Sequence, residues 1–578
     1  MPDETAKRIV KRYEQLKIKR TALIPMYDIL AKYLLMQPTL FSQAETHNGP
    51  KFSVENVADD SAIDASRTAA TALAGALWPH ASQSFELLPN APYSAIDTGA
   101  SKSDAVRRYW SAATRIAREY FDKPLVGMSV AVSEYFDDIP VFGTQGIYGD
   151  ERPGDKAVPF TFRSVSVQQA LIDEGGNGLV DTVYLEYCYS VRQLVQLYGD
   201  GVTKEVQELY DKGELDTTRK VVHAIQRRDK PRNTGENKDK PWESVHVDVA
   251  AAHTMRESGM DALPAWVTRY RKRPGEVYGR SMAMDAMPTI RSLNVQKYMF
   301  DKAEEKILDP PIGYYQELFG NGRPTLTAGS KVPLYNTGKI PQGSKPVEIL
   351  MQLTEPQAAA QRIEKMEANL REKFQVDKLL DFNNRTRMTA RETDYRYEFR
   401  NQALINIFVR QIVELFYPMI TWGVDILWRE GLLGLVPDDP QIDLLREQGI
   451  EPLIIPKEVL DLAATGAPPY ALKFISPAAR ALKMEAMAGQ DDLLDFATRI
   501  AQVGRVDALD NLDVDDMMRS RQEINGAPVT NLFGKDKVDQ ARKARQEAMA
   551  DQADLRQTGE MADAAAKGAR AAKDAGMV

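Results

Sequence analysis

The sequence has few of the residues that build disulfides, metal sites and covalent catalytic sites. It contains one cysteine, Cys188, so no disulfide can form within the chain; this is typical of a reducing compartment, and a buried, inert thiol is the expected role. The five histidines are His47, His80, His223, His246 and His253. None of them forms an H-x-x-x-H pair, and no G-x-S-x-G motif occurs, so we expect no metal, no cofactor and no catalytic residue.

Nucleotide-binding and membrane motifs are also missing. No G-x-x-x-x-G-K-[ST] motif occurs, and the nearest stretch, residues 149–156, has no serine or threonine after its lysine. The first twenty residues mix acidic and basic side chains without an apolar core, so we expect no secretory signal. The longest apolar stretch, residues 403–428, is interrupted by charges and falls short of the roughly 18 apolar residues that span a bilayer. We therefore expect a soluble protein without a membrane partner.

Basic residues are outnumbered by acidic ones, 74 to 82, giving a formal net charge of −8. A protein that coats nucleic acid needs a basic surface, because affinity grows with the number of phosphates neutralised. If DNA is a ligand of this chain, we expect the chain to contact it without binding it tightly.

A chain of 578 residues is too long for one core, and the patterning predicts an α+β, mainly helical fold with helices first and a small sheet after them. Helices are predicted over residues 5–36, 59–78, 103–121, 125–136 and 191–212, and strands within 160–190, 245–252 and 265–270. Between the fourth helix and the first strands, Gly143, Gly146 and Gly149 predict loops.

Two long, sparsely apolar helices are the most informative feature of the second half. Residues 279–308 form the first, which Pro310 and Pro311 end; short strands follow within 312–349. The second covers residues 355–374. Helices this polar cannot form a monomer's core, so they need neighbouring copies or line water, as in a ring around a wet channel.

The remaining pattern after these helices is a polar loop, a very long helix and a mixed C-terminal part. The loop covers residues 375–388, and the long helix runs from residue 389 to 430 with a kink expected at Pro418. Residues 431–469 are rich in loops. Further helices are predicted over residues 477–503, 514–524 and 535 to the end.

The polar loop contains better candidates for a functional role than the acidic clusters of the chain, because its side chains could contact DNA phosphates. These candidates are Lys378, Asn383, Asn384, Arg385 and Arg387. The alternative is that the cations pair with acidic neighbours on the same surface, such as Asp377, Asp381 or Glu392.

An acidic cluster near the C-terminus leaves a second alternative open. Asp513, Asp515 and Asp516 are of the type that binds magnesium in nucleases. The competing interpretation is helix capping and solvated surface, which we favour because no phosphate cradle lies nearby.

Four motifs, in order, resemble the head-to-tail connector (portal) family of short-tailed, podovirus-type double-stranded DNA bacteriophages. They are Tyr278-Gly279-Arg280-Ser281; Thr389-Ala390-Arg391-Glu392; Ser476-Pro477 in the segment 470–481; and Asp513-Val514-Asp515, followed by the segment 525–528. The resemblance covers residues 5–545. Ala478 departs from the family's usual leucine, and the alanine-rich tail has no counterpart.

The resemblance implies a phage portal fold that assembles into a ring of about twelve subunits around a central channel. The implied regions are a wing (1–278), stem helix 1 (279–308), a clip (309–352), stem helix 2 (353–374), a channel loop (375–388), a long kinked wing helix (389–431), a crown (432–534) and an alanine-rich C-terminal helical barrel or disordered tail (535–578).

The implied function is a DNA channel at one capsid vertex for packaging, retention and ejection of the genome. Its implied partners are double-stranded DNA bound without sequence preference, major capsid and scaffold proteins, the terminase large subunit and tail adaptor proteins. The implied location is the virion, with assembly in the host cytoplasm. The alternatives are an internal scaffold or minor capsid protein and a magnesium-dependent nuclease.

Overall fold

A computed structural model describes most of the chain. The described residues are 3–38, 40–41, 53, 57–79, 84–90, 104–228, 239–310, 312–315, 331–334, 347–349, 357–377, 379, 407–449, 451–466, 468–475, 493–499, 502, 512–515, 517–518, 538–550, 564 and 567. They fall into two compact units: residues 1–86, 115–433 and 474–485 form the first, and residues 87–114, 434–473 and 486–578 form the second.

The described elements are helices and runs of consecutive strands that pair mainly antiparallel, so the fold is α+β. The helices are α1 (Glu4–Thr21), α2 (Ile24–Leu34), α3 (Ser61–Leu77), α4 (Asp104–Asp122), α5 (Met128–Phe142), α6 (Val191–Tyr198), α7 (Lys204–Asp211), α8 (Met282–Leu308), α9 (Gln357–Lys373), α10 (Tyr417–Arg429), α11 (Gln441–Glu447) and α12 (Lys457–Ala464). The strands are β1 (Phe85–Pro89), β2 (Thr144–Glu151), β3 (Phe160–Ser166), β4 (Ala170–Glu174), β5 (Val180–Ser190), β6 (Thr218–Arg227), β7 (Trp242–Asp248), β8 (His253–Met260), β9 (Ala265–Arg269), β10 (Ile312–Tyr315), β11 (Lys331–Leu334), β12 (Val347–Ile349) and β13 (Tyr470–Phe474).

A five-stranded antiparallel sheet, in the order β4-β5-β6-β7-β8, lies in the first unit. Helix α1 packs on one face, where Ile9, Tyr13 and Leu16 contact apolar residues of the strands, among them Leu171 and Val245. The apolar residues of α1 recur at helical spacing and those of the strands at every second position, so each element buries one face. Strands β6 and β8 were not predicted from the sequence.

A second sheet of the first unit, in the order β3-β2-β9, is antiparallel and has β2 in its centre. The prediction that Gly143, Gly146 and Gly149 mark loops was wrong for β2. A Cβ on Gly146 would lie 2.9 Å from a methyl of Val267, and one on Gly149 would lie 2.8 Å from the Trp422 ring. These glycines therefore allow close packing inside a strand.

The long N-terminal helix predicted over residues 5–36 is two helices. Helix α1 ends at Thr21, and α2 begins at Ile24 with Pro25 in its first turn. Proline lacks the N–H that would continue the α1 hydrogen bonding, so the chain turns before it. The helix predicted over residues 191–212 is likewise divided, into α6 and α7.

Helices α8 and α9 are the two long polar helices of the sequence, and they pack against each other. Helix α8 starts after Ser281 and ends at Leu308, and its C-cap residue Asp309 directly precedes Pro310. Between the two helices, β10 pairs parallel with β11 and antiparallel with β12. Within the described residues, no helix is both long and apolar enough to cross a membrane.

Strands β1 and β13, most of whose residues belong to the second unit, form a two-stranded sheet. The ring of Trp110 lies 5.9 Å from that of Tyr470, and Thr114 Oγ1 accepts a hydrogen bond from the backbone N–H of Leu87 at 3.0 Å.

Candidate functional site

The Tyr278–Ser281 motif forms the junction between the β3-β2-β9 sheet and α8. A Cβ on Gly279 would lie 2.1 Å from the carbonyl oxygen of Gly143 and 2.9 Å from Cβ of Arg269. Gly143 ends α5 with a φ of +73°, and a Cβ there would lie 2.5 Å from the backbone of Arg280. Two glycines thus allow two backbones to cross at a distance that no other residue pair permits.

The other residues of the motif fix the direction of α8. Tyr278 is buried, and its hydroxyl accepts a hydrogen bond from the backbone N–H of Ile172 at 3.3 Å. Burial raises the pKa of Tyr278 to about 12, so the hydroxyl stays neutral. The Ser281 hydroxyl caps α8 by accepting from the N–H of Met284 at 2.9 Å. Arg280 pairs with Glu276 at 2.6 Å.

Sequence reasoning missed a fully buried arginine next to this junction. Arg269, at the end of β9, is 0% exposed in its side chain and pairs with Glu174 at 3.1 Å and Glu414 at 2.9 Å. It also donates to the carbonyl oxygen of Gly178 at 2.8 Å. A buried guanidinium is stable only when carboxylates and carbonyls satisfy it in this way. The sequence feature that could have indicated a buried cation is Glu414, because it places a carboxylate within a largely apolar helical stretch.

Glu414 lies in a five-residue π-helical segment, Ile412–Phe416, directly before α10. Its neighbour Gln411 is buried, accepts hydrogen bonds from the hydroxyls of Tyr135 and Thr268, and donates to the carbonyl oxygen of Arg269 at 3.3 Å. This π-helical segment ends two residues before Pro418, where the sequence predicts a kink. Such segments are rare and frequently lie at functional sites.

An ionic cluster with one buried carboxylate, that of Asp59, joins the two long polar helices to the start of α3. Lys297 of α8 lies 2.7 Å from Asp59, before α3, and 2.7 Å from Glu367 of α9. Hydrogen bonding and charge attraction from these two carboxylates outweigh the effect of burial and raise the pKa of Lys297. The polar character of the helices thus has a function within one chain: it sets their pairing.

Most of the candidates from the sequence fall outside the described residues. These are Lys378, Asn383, Asn384, Arg385, Arg387, Thr389, Ala390, Glu392, Ser476, Pro477 and Asp516. Asp513 and Asp515 are described, and Arg542 binds both carboxylate oxygens of Asp515, at 2.6 and 2.7 Å. Asp515 is thus engaged by a cation of its own chain.

Two histidines that are distant in the sequence meet in the five-stranded sheet. His223 and His246 stack with ring centroids 3.9 Å apart. Burial lowers the pKa of His223 well below its usual value and that of His246 to about 3, so both rings stay neutral. Within the described residues, no three metal-ligating side chains are grouped so as to hold an ion.

Comparison with known proteins points to one family. The sequence profile of a family described as "Bacteriophage head to tail connecting protein" matches residues 6–532. A relative named "Probable portal protein" from Bordetella phage BPP-1 is 25% identical over 452 residues, 77% of this chain and 79% of the relative. The "Portal protein" of Salmonella phage epsilon15 is 24% identical over 580 residues, 99% of this chain and 96% of that protein.

Proposed function

The chain belongs to the family of bacteriophage head-to-tail connecting proteins, and from this membership we propose that it is the portal protein of a podovirus-type phage, which forms a ring of about twelve copies around a channel for double-stranded DNA. It acts as a structural channel and docking platform rather than as an enzyme. The relatives that carry the name portal protein match most of the chain, which supports this function.

The exposed apolar surface of α8 is the structural observation that best supports assembly of the chain into a ring. One face of its first half is buried within the chain, but Val295, Tyr298 and Met299 are 53, 49 and 61% exposed. Their spacing of three and four residues puts them on one face of the helix. Burial of apolar surface contributes roughly 25 cal/mol per Å², so a neighbouring copy that covers this face stabilises a ring.

Helix α9 fits the same arrangement because it is even less buried. Only Ile363 and Leu370 are buried between Gln357 and Lys373, and the mean hydropathy of the helix is low. A helix with this surface lines water or polar neighbours. We therefore place α8 and α9 as the stem, with residues 309–352 as the clip that the terminase large subunit meets.

The other regions follow the family's order along the chain. Residues 1–278 and the helix over 389–431 form the wing, 432–534 the crown, and 535–578 a helical barrel or a disordered tail. The crown and wing meet capsid and scaffold proteins inside the shell, and tail adaptors attach at the clip. The protein assembles in the host cytoplasm and stays at one vertex of the virion.

The loop over residues 375–388 is placed in the channel, where Lys378, Asn383, Asn384, Arg385 and Arg387 meet DNA phosphates. A few cations per copy are enough to hold a polyanion against slippage, whereas a densely basic channel would oppose its motion. The net charge of −8 suits passage rather than tight binding.

A complementation experiment tests this function. A phage that lacks this gene should make heads without DNA, and the wild-type gene supplied in trans should restore packaged, infectious particles. The double variant Arg385→Ala/Arg387→Ala should incorporate into heads but retain less DNA. Full DNA content without the gene would refute the portal function, and normal DNA content in the double variant would refute only the role of the loop.

A further inference from the structure

The exposed apolar face of α8 lies on the side of the helix that points away from α9. Two α8 residues contact α9: Thr289 accepts a hydrogen bond from a lysine of α9 at 2.8 Å, and Lys297 pairs with a glutamate of α9 at 2.7 Å. An α-helix turns by about 100° per residue, so Val295, Tyr298 and Met299 centre about 190° away from these two contacts. We call this surface the α8 edge. The exposed Arg291, one turn before Val295, extends it.

The opposite edge of the helix pair belongs to α9 and has a different chemistry. Glu367 and Lys373 are the α9 residues in the two contacts with α8. Lys365, Ala368 and Glu372 centre about 170° away from them, and all three are exposed. This α9 edge is polar, with one small residue in its middle. The pair of helices therefore presents two unlike surfaces on its two sides.

A closed ring joins unlike surfaces. This step rests on the proposed function, which places α8 and α9 side by side around the channel. Copies related by a rotation of less than half a turn use two different surfaces, one toward each neighbour, so one α8 edge does not meet another. The surface that covers the α8 edge of one copy is then the α9 edge of the next copy.

The contacts within the pair set the heights at which the two edges meet. Thr289 lies beside Lys373, and Lys297 lies beside Glu367. The numbers rise along α8 while they fall along α9, so the helices are antiparallel. A rotation about the ring axis leaves the height of every residue unchanged, so for a pair that stands along this axis the same heights hold between copies.

At these heights the two edges match in chemistry. Three residues of each edge are level with one another: Arg291 with Glu372, Val295 with Ala368, and Tyr298 with Lys365. The first pair has opposite charges. The small side chain of Ala368 leaves room for the larger Val295, and a lysine stem and ammonium group pack favourably on a tyrosine ring.

We propose that the α8 edge of each copy docks on the α9 edge of the next copy, with Arg291 facing Glu372 and Val295 facing Ala368. The apolar residues of the α8 edge supply the buried area, and the charges on either side fix the register of one copy against the next. The ring of the proposed function thus gains a defined contact between neighbours in its stem.

Disulfide cross-linking of the purified full-length protein tests this contact. Cys188, the one cysteine of the chain, is first replaced by alanine, and Val295→Cys and Ala368→Cys are then combined. Within one chain the two positions lie on opposite edges of the pair, roughly 20 Å apart. A disulfide spans at most about 7 Å between Cα atoms, so this bond can form only between copies.

We expect oxidation to give a ladder of bands, from the dimer up to the full ring, on a denaturing gel without reductant. The matched control combines Gln296→Cys with Ala368→Cys. Gln296 follows Val295 directly but lies about 100° around the helix, so this protein should remain monomeric on the same gel.

Charge reversal tests the register of the contact independently. Arg291→Glu and Glu372→Arg each bring like charges together at every interface, so each should lower the fraction of protein in rings about tenfold at a fixed concentration. The double variant restores opposite charges and should recover the wild-type fraction within about twofold. Arg152→Glu reverses an exposed charge between β2 and β3 and should leave the fraction unchanged. Electron microscopy and sedimentation measure the fraction.

Recovery in the double variant also excludes misfolding as the cause of the loss in the single variants. If the wild type forms rings but the Val295–Ala368 pair gives no ladder, the proposed contact is wrong and the portal function stands. Single reversals that leave the ring fraction unchanged would overturn it in the same way. Wild-type protein that forms no rings at all would refute the proposed function together with this contact.

Discussion

Asp138 is a carboxylic acid in an unfavourable place for its charge. It lies partly buried on α5, where desolvation and the nearby carboxylates of Asp137 and Glu134 raise its pKa to about 7. Its pKa in the unfolded chain is near 3.8. The folded state therefore holds the proton more tightly than the unfolded state, and folding loses stability as the pH rises from about 4 through 7.

Asp138→Asn removes this penalty. The variant should be more stable than wild type at pH 8, by on the order of 1 kcal/mol given the partial exposure of the site. Its advantage should shrink as the pH falls from 7 to 4, because the wild-type side chain is then neutral as well. Thermal unfolding of both proteins between pH 4 and 8 measures this, and a difference that does not vary with pH would contradict it.

At the residue scale, the sequence located the Tyr278–Ser281 turn but did not show why the turn needs a glycine. Tyrosine, glycine and serine before a helix are visible as a motif and as a cap, whereas the crossing of Gly279 over Gly143 joins positions 136 residues apart. Arg269 was missed for the same reason. Its two carboxylate partners lie 95 and 145 residues away, and local pattern carries no information about such pairs.

At the element scale, α8 and α9 are joined by the cluster of Lys297, Asp59 and Glu367. The side chain of Asp59 is 1% exposed, so it depends on Lys297 for charge compensation. Removing one partner of such a pair leaves a buried charge uncompensated, which costs more than the pair itself contributes.

Lys297→Met should therefore lower the free energy of unfolding by about 2 kcal/mol. Lys302→Met is the matched control on the same helix, since Lys302 and its partner Glu305 are both about half exposed and the loss of an exposed pair should leave the thermal midpoint unchanged. Thermal melts of the three proteins make the comparison. Equal midpoints for both variants would show that the cluster does not hold the helices together.

Secondary-structure prediction succeeded where residues followed helical spacing and failed where glycines allowed close packing inside a strand. The boundaries of α8 and α9 follow from a serine cap, prolines and helical spacing, and both lie within three residues of the prediction. Strand β2 was read as loops because its glycines were taken as turn residues. Only the tertiary neighbours Val267 and Trp422 show why glycine stands there.

At the scale of the whole molecule, the family was accessible from the sequence because its motifs occur in order over most of the chain. The symmetry of an assembly is not encoded in any local pattern. It follows from surfaces that one chain leaves uncovered, such as the face of Val295, Tyr298 and Met299 on α8. The sparse apolar content of α8 and α9 predicted such a surface, but not the ionic cluster that pairs them.

Electron cryomicroscopy of the purified full-length protein tests the central claim most directly. We predict closed rings with rotational symmetry, in which α8 and α9 of every copy surround a hole wide enough for duplex DNA and the Val295 face meets the next copy. Monomers at high protein concentration, or rings that carry these two helices on their outer surface, would contradict the account.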